Sequence, residues 1–208
     1  MTMIKNEVSE RILTHAHELF MQYGLKSVSM DDIATQLGMS KKTIYQFYAD
    51  KESLVKEVVT KTTQENQLVC ESDCEKSENA IHELFLAMAQ MSKLYQTMNP
   101  SVVYDLHKYY PKAFQIFNAH KNVFIYEKIK HNIIRGIEEG LYRENIDVEI
   151  IARVRVESVI MPFNPNFQTL LPRDLVAVSS EIAIHFLYGL ASTNGIKLIA
   201  KYNQKVKK

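Results

Sequence analysis

The chain has 208 residues, of which 46% are hydrophobic and 24% are charged, and its formal net charge is +1. This composition is typical of a globular protein, and the near-zero net charge gives no overall attraction to nucleic acid. No apolar run reaches about 18 residues, and the N-terminal segment MTMIKNEVSERIL is too polar for a signal peptide. We therefore expect a cytoplasmic protein that has no membrane partner.

The first predicted helix ends at Gly24, because apolar residues recur at helical spacing up to that position. This apolar stripe consists of Val8, Ile12, Ala16, Leu19, Phe20 and Tyr23. Leu25 and Val28 follow the glycine and are expected to return to the same core. The pattern predicts the first helix of a small three-helix module.

A second, short helix is predicted after Ser29, whose hydroxyl can accept the backbone N–H near Asp32 and cap the helix. Gly38 can adopt the left-handed conformation that ends a helix, and Ser40 can cap the next one. Two helices joined by a three-residue turn form a helix-turn-helix, in which the second helix can lie in the DNA major groove. The inward-facing residues of the first of these two helices are Ile33, Ala34 and Leu37.

The third predicted helix, which continues to Tyr48, starts with two lysines where the helix dipole disfavours positive charge. Such local conflicts are typical of functional sites, and an incoming phosphate would make the interaction favourable. Ile44 and Tyr48 are predicted to face inward, which leaves Lys42 and Gln46 on the outer face. Lysine can bond guanine and glutamine can bond adenine in the major groove. The residues expected to contact DNA from this helix are Lys41, Lys42, Thr43, Tyr45 and Gln46.

The segment ILTHAHELFMQYGLKSVSM followed by DDIATQLGMSKKTIYQFYADKESL resembles the tetracycline-repressor (TetR) family of bacterial transcriptional regulators. The resemblance covers residues 8–58 and includes a first helix that ends in Phe-x-x-x-Gly and a fourth helix that begins with Lys-Glu-x-Leu. It implies a phosphate contact at Lys51 and a cap that touches the DNA backbone at Ser29. It also implies base or phosphate contacts for the five residues of the third helix. Phe47 departs from the family, which often has His or Tyr at that position.

Residues after position 50 are predicted to form successive helices, so the predicted fold class is all-α. We expect a helix-turn-helix DNA-binding domain at 1–50 and a helical effector-binding and dimerisation domain at 51–208. A charged, irregular link is expected at 71–76, and a loop with three prolines at 162–172. The helices themselves are predicted at 51–70, 77–98, 101–109, 112–139, 147–160 and 173–192, with a short basic helix after Asn194-Gly195.

The helices near 147–161 and 173–192 are apolar on more than one face and therefore need cover on more than one side. Burial within one monomer and cover by a second subunit both agree with this pattern. The resemblance implies the second, a homodimer built from two such helices of each subunit. A twofold dimer places two recognition helices about one DNA turn or a small multiple apart, so that it reads a near-palindromic double-stranded operator.

Methionine and aromatic residues are frequent in the middle helices. Met fills irregular space, while Tyr and His add polar groups to an apolar wall, as ligand sites need. An ordinary core explains each residue singly, whereas the group suggests a pocket for a small apolar or amphipathic effector. The candidate ligand-binding residues are Met88, Met91, Tyr95, Tyr104, His107, Phe117 and Phe124.

These features predict a ligand-responsive regulator, a repressor that its effector releases from DNA. The alternative is a helical adaptor that binds a protein partner and no longer reads DNA. Catalysis, a metal and a cofactor are not expected, because no metalloprotease, phosphate-loop or dinucleotide motif occurs and His15 and His17 point to nearly opposite sides of a helix. Cys70 and Cys74 agree with inert thiols or with a redox switch. The basic segment KLIAKYNQKVKK is expected to be a solvated chain end.

Overall fold

In the computed structural model of this chain, the backbone is described for residues 2–206 and the side chains for residues 6–204. The chain is 81% helical and contains no strand in that range, which confirms the all-α prediction. None of the helices described there combines the length and apolarity needed to cross a bilayer. The last two residues of the basic segment, 207 and 208, lie outside the described residues.

The described elements follow one another with short connections. A π-helical turn at His120–Ile125 joins α7 to α8, and a 3-10 turn at Met161–Phe163 follows α9. The α-helices are α1 (Thr2–Tyr23), α2 (Met30–Leu37), α3 (Lys41–Tyr45), α4 (Lys51–Lys76), α5 (Ala80–Thr97), α6 (Val102–Tyr109), α7 (Pro111–Ala119), α8 (Tyr126–Glu138), α9 (Val148–Ile160), α10 (Pro165–Leu170), α11 (Leu175–Leu190) and α12 (Thr193–Val206).

The chain forms two compact units, and the first contains residues up to 65 together with 97–119. In this unit, α6 and α7 supply Val102, Leu106 and Ala113 to the same buried core as the N-terminal helices. The residues buried in α1 are Ile12, Leu13, Ala16 and Phe20, and those buried in α2 and α3 are Met30, Ile33, Ala34, Leu37 and Ile44. The prediction of a domain boundary between residues 50 and 51 stays a prediction.

The second unit contains residues 66–96 and those from 120 onward. Its buried core includes Ile133, Leu187 and Ile199. Tyr142 is also buried there, and its hydroxyl donates to Asn132 Oδ1 at 3.1 Å, while Asn132 Nδ2 donates to the carbonyl of Ala80 at 3.0 Å. Because buried polar groups need partners, this pair of bonds fixes α8 against the start of α5.

Several predicted boundaries were wrong, and each error has a local cause. The predicted irregular link at 71–76 is helical, since α4 runs to Lys76 through a charged stretch that contains neither Gly nor Pro. The predicted loop at 162–172 contains the 3-10 turn and α10, because Pro165 occupies the first helical position, where its missing N–H costs nothing. Asn164 caps α10 by accepting the N–H groups of Asn166 and Phe167.

Other differences concern the ends of helices. The predicted third helix through Tyr48 ends at Tyr45, with Gln46 as its C-cap. The predicted 112–139 helix is interrupted by the π-helical turn, and Asn194-Gly195 lies in the first turn of α12. Tyr23 was assigned to the core stripe of α1, yet it is 51% exposed. Helical periodicity identifies a face, but it carries no information on where the packing partner of that face ends.

Candidate nucleic-acid interface

Capping interactions at both ends of α2 define the turn between α2 and α3. Ser29 Oγ accepts the N–H of Asp32 at 3.1 Å, and Asp32 Oδ2 accepts the N–H of Ser29 at 2.8 Å, so a complete capping box starts α2. Gly38 ends α2 with a φ of 63°, and the N–H of Met39 donates to the carbonyl of Ala34 at 2.9 Å. These predicted caps are confirmed, and they fix the direction in which α3 leaves the turn.

The recognition helix α3 is anchored at its start and on its inner face. Ser40 caps it, because the Ser40 Oγ accepts the N–H of Thr43 at 3.1 Å and lies 2.8 Å from the Thr43 hydroxyl. Ile44 and Tyr48 are buried as predicted. The Tyr48 hydroxyl lies 2.9 Å from Ser9 Oγ, which ties the end of this segment to α1. The outer face is therefore presented by a well-supported helix.

Four of the predicted contact residues lie exposed together on α3 and its C-cap: Lys41, Lys42, Tyr45 and Gln46. Thr43 is half-buried, and its hydroxyl lies 2.8 Å from Ser40 Oγ. Exposed lysine, tyrosine and glutamine side chains on one short helix match the donors and acceptors of DNA phosphates and base edges. The structure thus brings these residues to one surface, and their contacts with DNA stay a prediction.

Lys41 is paired with an acid that the sequence analysis did not single out for this role. Its Nζ lies 2.7 Å from Asp31 Oδ1 on α2, and the hydrogen bond to Asp31 is the main cause of its raised pKa. Both groups are exposed, so the pair contributes little to stability. Its consequence is electrostatic, since Asp31 neutralises one of the two cations at the start of α3.

Lys51, the remaining predicted phosphate contact, is held against the turn that follows α1. Its Nζ donates to the carbonyl of Leu25 at 2.5 Å and lies 5.9 Å and 5.6 Å from the ring centroids of Phe20 and Tyr110. Burial lowers the pKa of Lys51, although the nearby charge of Asp105 opposes that shift. An ammonium group has three N–H donors, so the bond to Leu25 leaves donors for a phosphate.

A second contact to the same turn comes from α6 and was not predicted. The buried carboxylate of Asp105 accepts the backbone N–H of Lys26 at 3.0 Å, and Tyr110 donates to the carbonyl of Leu25 at 3.5 Å. Asp105 and Lys26 are 79 residues apart, so no sequence periodicity could signal this bond. Through it, α6 supports the turn that precedes the helix-turn-helix.

The predicted ligand-binding residues fall into both compact units. Met88, Met91, Tyr95 and Phe124 belong to the second unit, in which Tyr95 is buried against Phe163. The others belong to the first unit, where Tyr104 is exposed and accepts a bond from Lys108, and where His107 packs on Phe114. Phe117 is half-buried against the first core. The assignment of these residues to one effector site stays a prediction.

Both cysteines lie in α4 as free thiols. Burial raises the pKa of the Cys70 thiol to about 11, and its Sγ donates to Asn66 Oδ1 at 3.7 Å. A thiol of such a high pKa is protonated at neutral pH and reacts slowly with oxidants. The structure therefore favours the inert alternative for Cys70.

Comparisons with known proteins agree with this geometry. The model of the family described as bacterial regulatory proteins, tetR family, matches residues 12–58. The chain is 25% identical over 164 residues to the uncharacterized HTH-type transcriptional regulator YvaF of Bacillus subtilis (strain 168), which covers 77% of this chain and 83% of that protein. It is also 25% identical over 185 residues to the uncharacterized HTH-type transcriptional regulator YhgD of the same organism. That alignment covers 87% of this chain and 95% of YhgD.

Solved structures share the fold at low identity. A TetR-family transcriptional regulator from Agrobacterium tumefaciens matches with a TM-score of 0.76 at 16% identity, over 90% of this chain and 99% of that one. A transcriptional regulator from Saccharomonospora viridis, solved in complex with choline, matches with a TM-score of 0.70 at 19% identity and the same coverage, 90% and 99%.

Proposed function

Because the chain belongs to the TetR family of bacterial transcriptional regulators, and so is a DNA-binding regulator and not an enzyme, we propose that it is a repressor. In this proposal a homodimer occupies a near-palindromic operator in the cytoplasm, and a small apolar or amphipathic effector releases it. The observation that carries the proposal is the exposed set Lys42, Tyr45 and Gln46 on a helix whose inner face is buried. Bound dimer would exclude RNA polymerase from the promoter.

Dimerisation is supported by apolar side chains that the second core leaves uncovered. On α9, Ala152 and Val156 are buried, whereas Ile150 and Val154 are 59% and 55% exposed and lie one turn apart. On α11, Tyr188 is 42% exposed. Clustered apolar exposure of this kind is typical of subunit interfaces. A second subunit that covers α9 and α11 would bury it and would pair the two recognition helices.

Release by an effector is supported by the contacts that α6 makes within the first unit. A ligand that favours another position of α6 would act on the turn at Leu25 and Lys26 through Asp105 and Tyr110. A coupling free energy of about 1–3 kcal/mol changes DNA affinity by about 5- to 150-fold. The complex of the Saccharomonospora viridis regulator with choline supports the capacity of this fold to hold a small molecule.

The decisive experiment is selection of bound duplexes from a random pool, which gives the operator, its symmetry and its half-site spacing together. Lys42→Ala and Gln46→Ala should then lose sequence preference, because they remove base-edge contacts. Lys93→Ala and Gln90→Ala are matched controls, since both residues are exposed on α5. A protein that prefers no duplex over scrambled competitor at physiological salt would instead be a helical adaptor.

The dimer is tested separately by Val154→Asp, which should shift the protein toward monomer in sedimentation and weaken operator binding. Val123→Asp is the control, because Val123 is 64% exposed and lies in the π-helical turn. Equal dimer content in both variants would contradict the proposed interface.

A further inference from the structure

Arg155 on α9 is an enclosed cation that has no carboxylate partner among residues 6–204. Its Cζ lies 5.1 Å from the ring centroid of Phe186 on α11, and its Nη1 donates to Ser158 Oγ, one turn further along α9, at 3.4 Å. The residue as a whole is only half-buried, but its guanidinium lies deep among protein atoms, so that desolvation lowers its pKa. A buried charge without a counter-ion is costly.

Arg135, another arginine of this unit, is paired with two carboxylates. Arg135 Nη1 lies 3.1 Å from Glu83 Oε2, and Arg135 Nε lies 2.7 Å from Glu139 Oε1. Arg135 therefore has the carboxylate counter-ions that Arg155 lacks within the described part of the chain. Arg155 has a ring, a distant hydroxyl and free N–H donors in their place.

Two further polar groups, one on α11 and one on α5, extend this environment. Ser179 Oγ on α11 is buried and has no hydrogen-bond partner among the described residues, and Ser179 precedes Phe186, the ring that Arg155 contacts, by seven residues, so both lie on one face of the helix. Tyr95 on α5 is 5% exposed and lies close enough to Arg155 for the guanidinium charge to act on its phenol. Its ring packs edge-on against Phe163 at a centroid distance of 5.0 Å.

We propose that Arg155, Tyr95 and Ser179 form the polar end of a small-molecule site, and that its ligand carries a carboxylate on an apolar body. The guanidinium fork matches a carboxylate at two points, and the two hydroxyls can donate to the same oxygens. Phe163 and Phe186 provide apolar contacts for the body of the ligand. This inference rests on the proposed function, because it names the chemical class of the effector. A cation such as choline is excluded by the same guanidinium.

The experiment is calorimetric titration of the dimer with octanoate, decanoate and salicylate, each beside its neutral counterpart octanol, decanol or salicylamide. At least one acid should bind more tightly than its neutral counterpart. Arg155→Met should weaken the binding of that acid by about tenfold or more and should leave the neutral compound unchanged. Arg155→Lys, which keeps the charge and loses the fork, should be intermediate.

Ser179→Ala and Tyr95→Phe each remove one hydroxyl and should weaken binding of the acid by a few-fold. These two variants still test the proposal if Arg155→Met fails to fold. Arg173→Met is the control for loss of a positive charge, because Arg173 is exposed before α11. The proposal is overturned if no acid is preferred over its neutral counterpart, or if Arg155→Met and Arg155→Lys bind the acid as the wild type does.

Operator binding, measured without and with the acid, separates this proposal from the proposed function. A protein that binds the acid through Arg155 but binds no operator supports the site and refutes the repressor. A protein that binds its operator but no acid refutes the site and leaves the repressor standing.

Discussion

The carboxylate of Asp105 on α6 accepts the backbone N–H of Lys26, in the turn after α1, at 3.0 Å. Asp105 is only 6% exposed, and Ser101 donates a second, longer bond to the same oxygen at 3.4 Å. The bond joins residues that lie 79 positions apart. It also links α6 directly to the turn at Leu25 and Lys26, which precedes the helix-turn-helix.

Replacement of Asp105 by Ala should destabilise the protein, because the Lys26 N–H loses its acceptor beside a buried surface. The expected loss is about 1–2 kcal/mol, which corresponds to a decrease in Tm of about 2–8 °C for a chain of this size. Thermal unfolding followed by circular dichroism measures it. Asp105→Asn keeps an acceptor oxygen and should recover most of the loss, while Glu138→Ala, at an exposed position on α8, should have no effect. A Tm of Asp105→Ala equal to that of the wild type would show that this bond contributes nothing.

Asp31→Asn should strengthen DNA binding, because Asp31 neutralises Lys41 at the start of α3. The freed lysine can meet a phosphate, so affinity should rise for all duplexes and the salt dependence should steepen by up to about 0.9 in log–log slope. Filter binding or fluorescence anisotropy at several salt concentrations measures both quantities. Glu138→Gln removes one negative charge at an exposed site of the second unit and is the matched control. A slope that stays at the wild-type value would mean that Lys41 does not reach the DNA.

The elements that could be predicted from sequence depend on short-range signals. Ser29 and Ser40 bond N–H groups three residues away, and Gly38 adopts its left-handed φ within the turn itself. Groups this close in sequence form their bonds independently of the rest of the fold. Their residue types alone therefore predict the local geometry. The same reasoning identified the buried side of this segment, since Ile44 on α3 and Tyr48 just after it are four residues apart and both are buried.

What could not be predicted depends on contacts that the fold creates between distant residues. The pairing of Asp31 with Lys41 joins two helices across the turn, and Asp105 meets Lys26 only after α6 packs on the first core. The sequence predicts that Arg155 lies on the surface, because charged side chains are normally exposed. Its enclosure next to Phe186 is a consequence of how α9 and α11 pack.

Lys51→Met should weaken binding to all duplexes by a similar factor and reduce the salt slope by about 0.9, if its free donors hold a phosphate. Methionine keeps an unbranched side chain of similar length, but it removes both the charge beside the rings of Phe20 and Tyr110 and the bond to the Leu25 carbonyl. Sequence preference should survive, which separates this variant from Lys42→Ala. Lys93→Met, at an exposed site on α5, serves as control. An unchanged slope would leave Lys51 with a structural role alone, through its bond to Leu25.

His17 should make the protein less stable at acid pH. Its Nε2 is buried and has no hydrogen-bond partner among the described residues, and burial lowers its pKa from 6.5, against the opposing charges of Glu65 and Glu18. Above pH 6.5 the ring is neutral in both folded and unfolded chains, so it contributes nothing to the pH dependence. As the pH falls through that value, the unfolded chain binds the proton first, and stability decreases until the folded pKa is passed.

His17→Gln removes this proton uptake and should flatten the dependence of unfolding free energy on pH below about 6.5. A remaining slope is expected, because burial also lowers the pKa of His120. Urea unfolding at a series of pH values from neutral to acid measures the difference between wild type and variant. His131→Gln is the control, since His131 is exposed on α8. If His17→Gln and wild type lose stability in parallel as the pH falls, the buried imidazole is already protonated in the fold or fully solvated, and its enclosure has no energetic consequence.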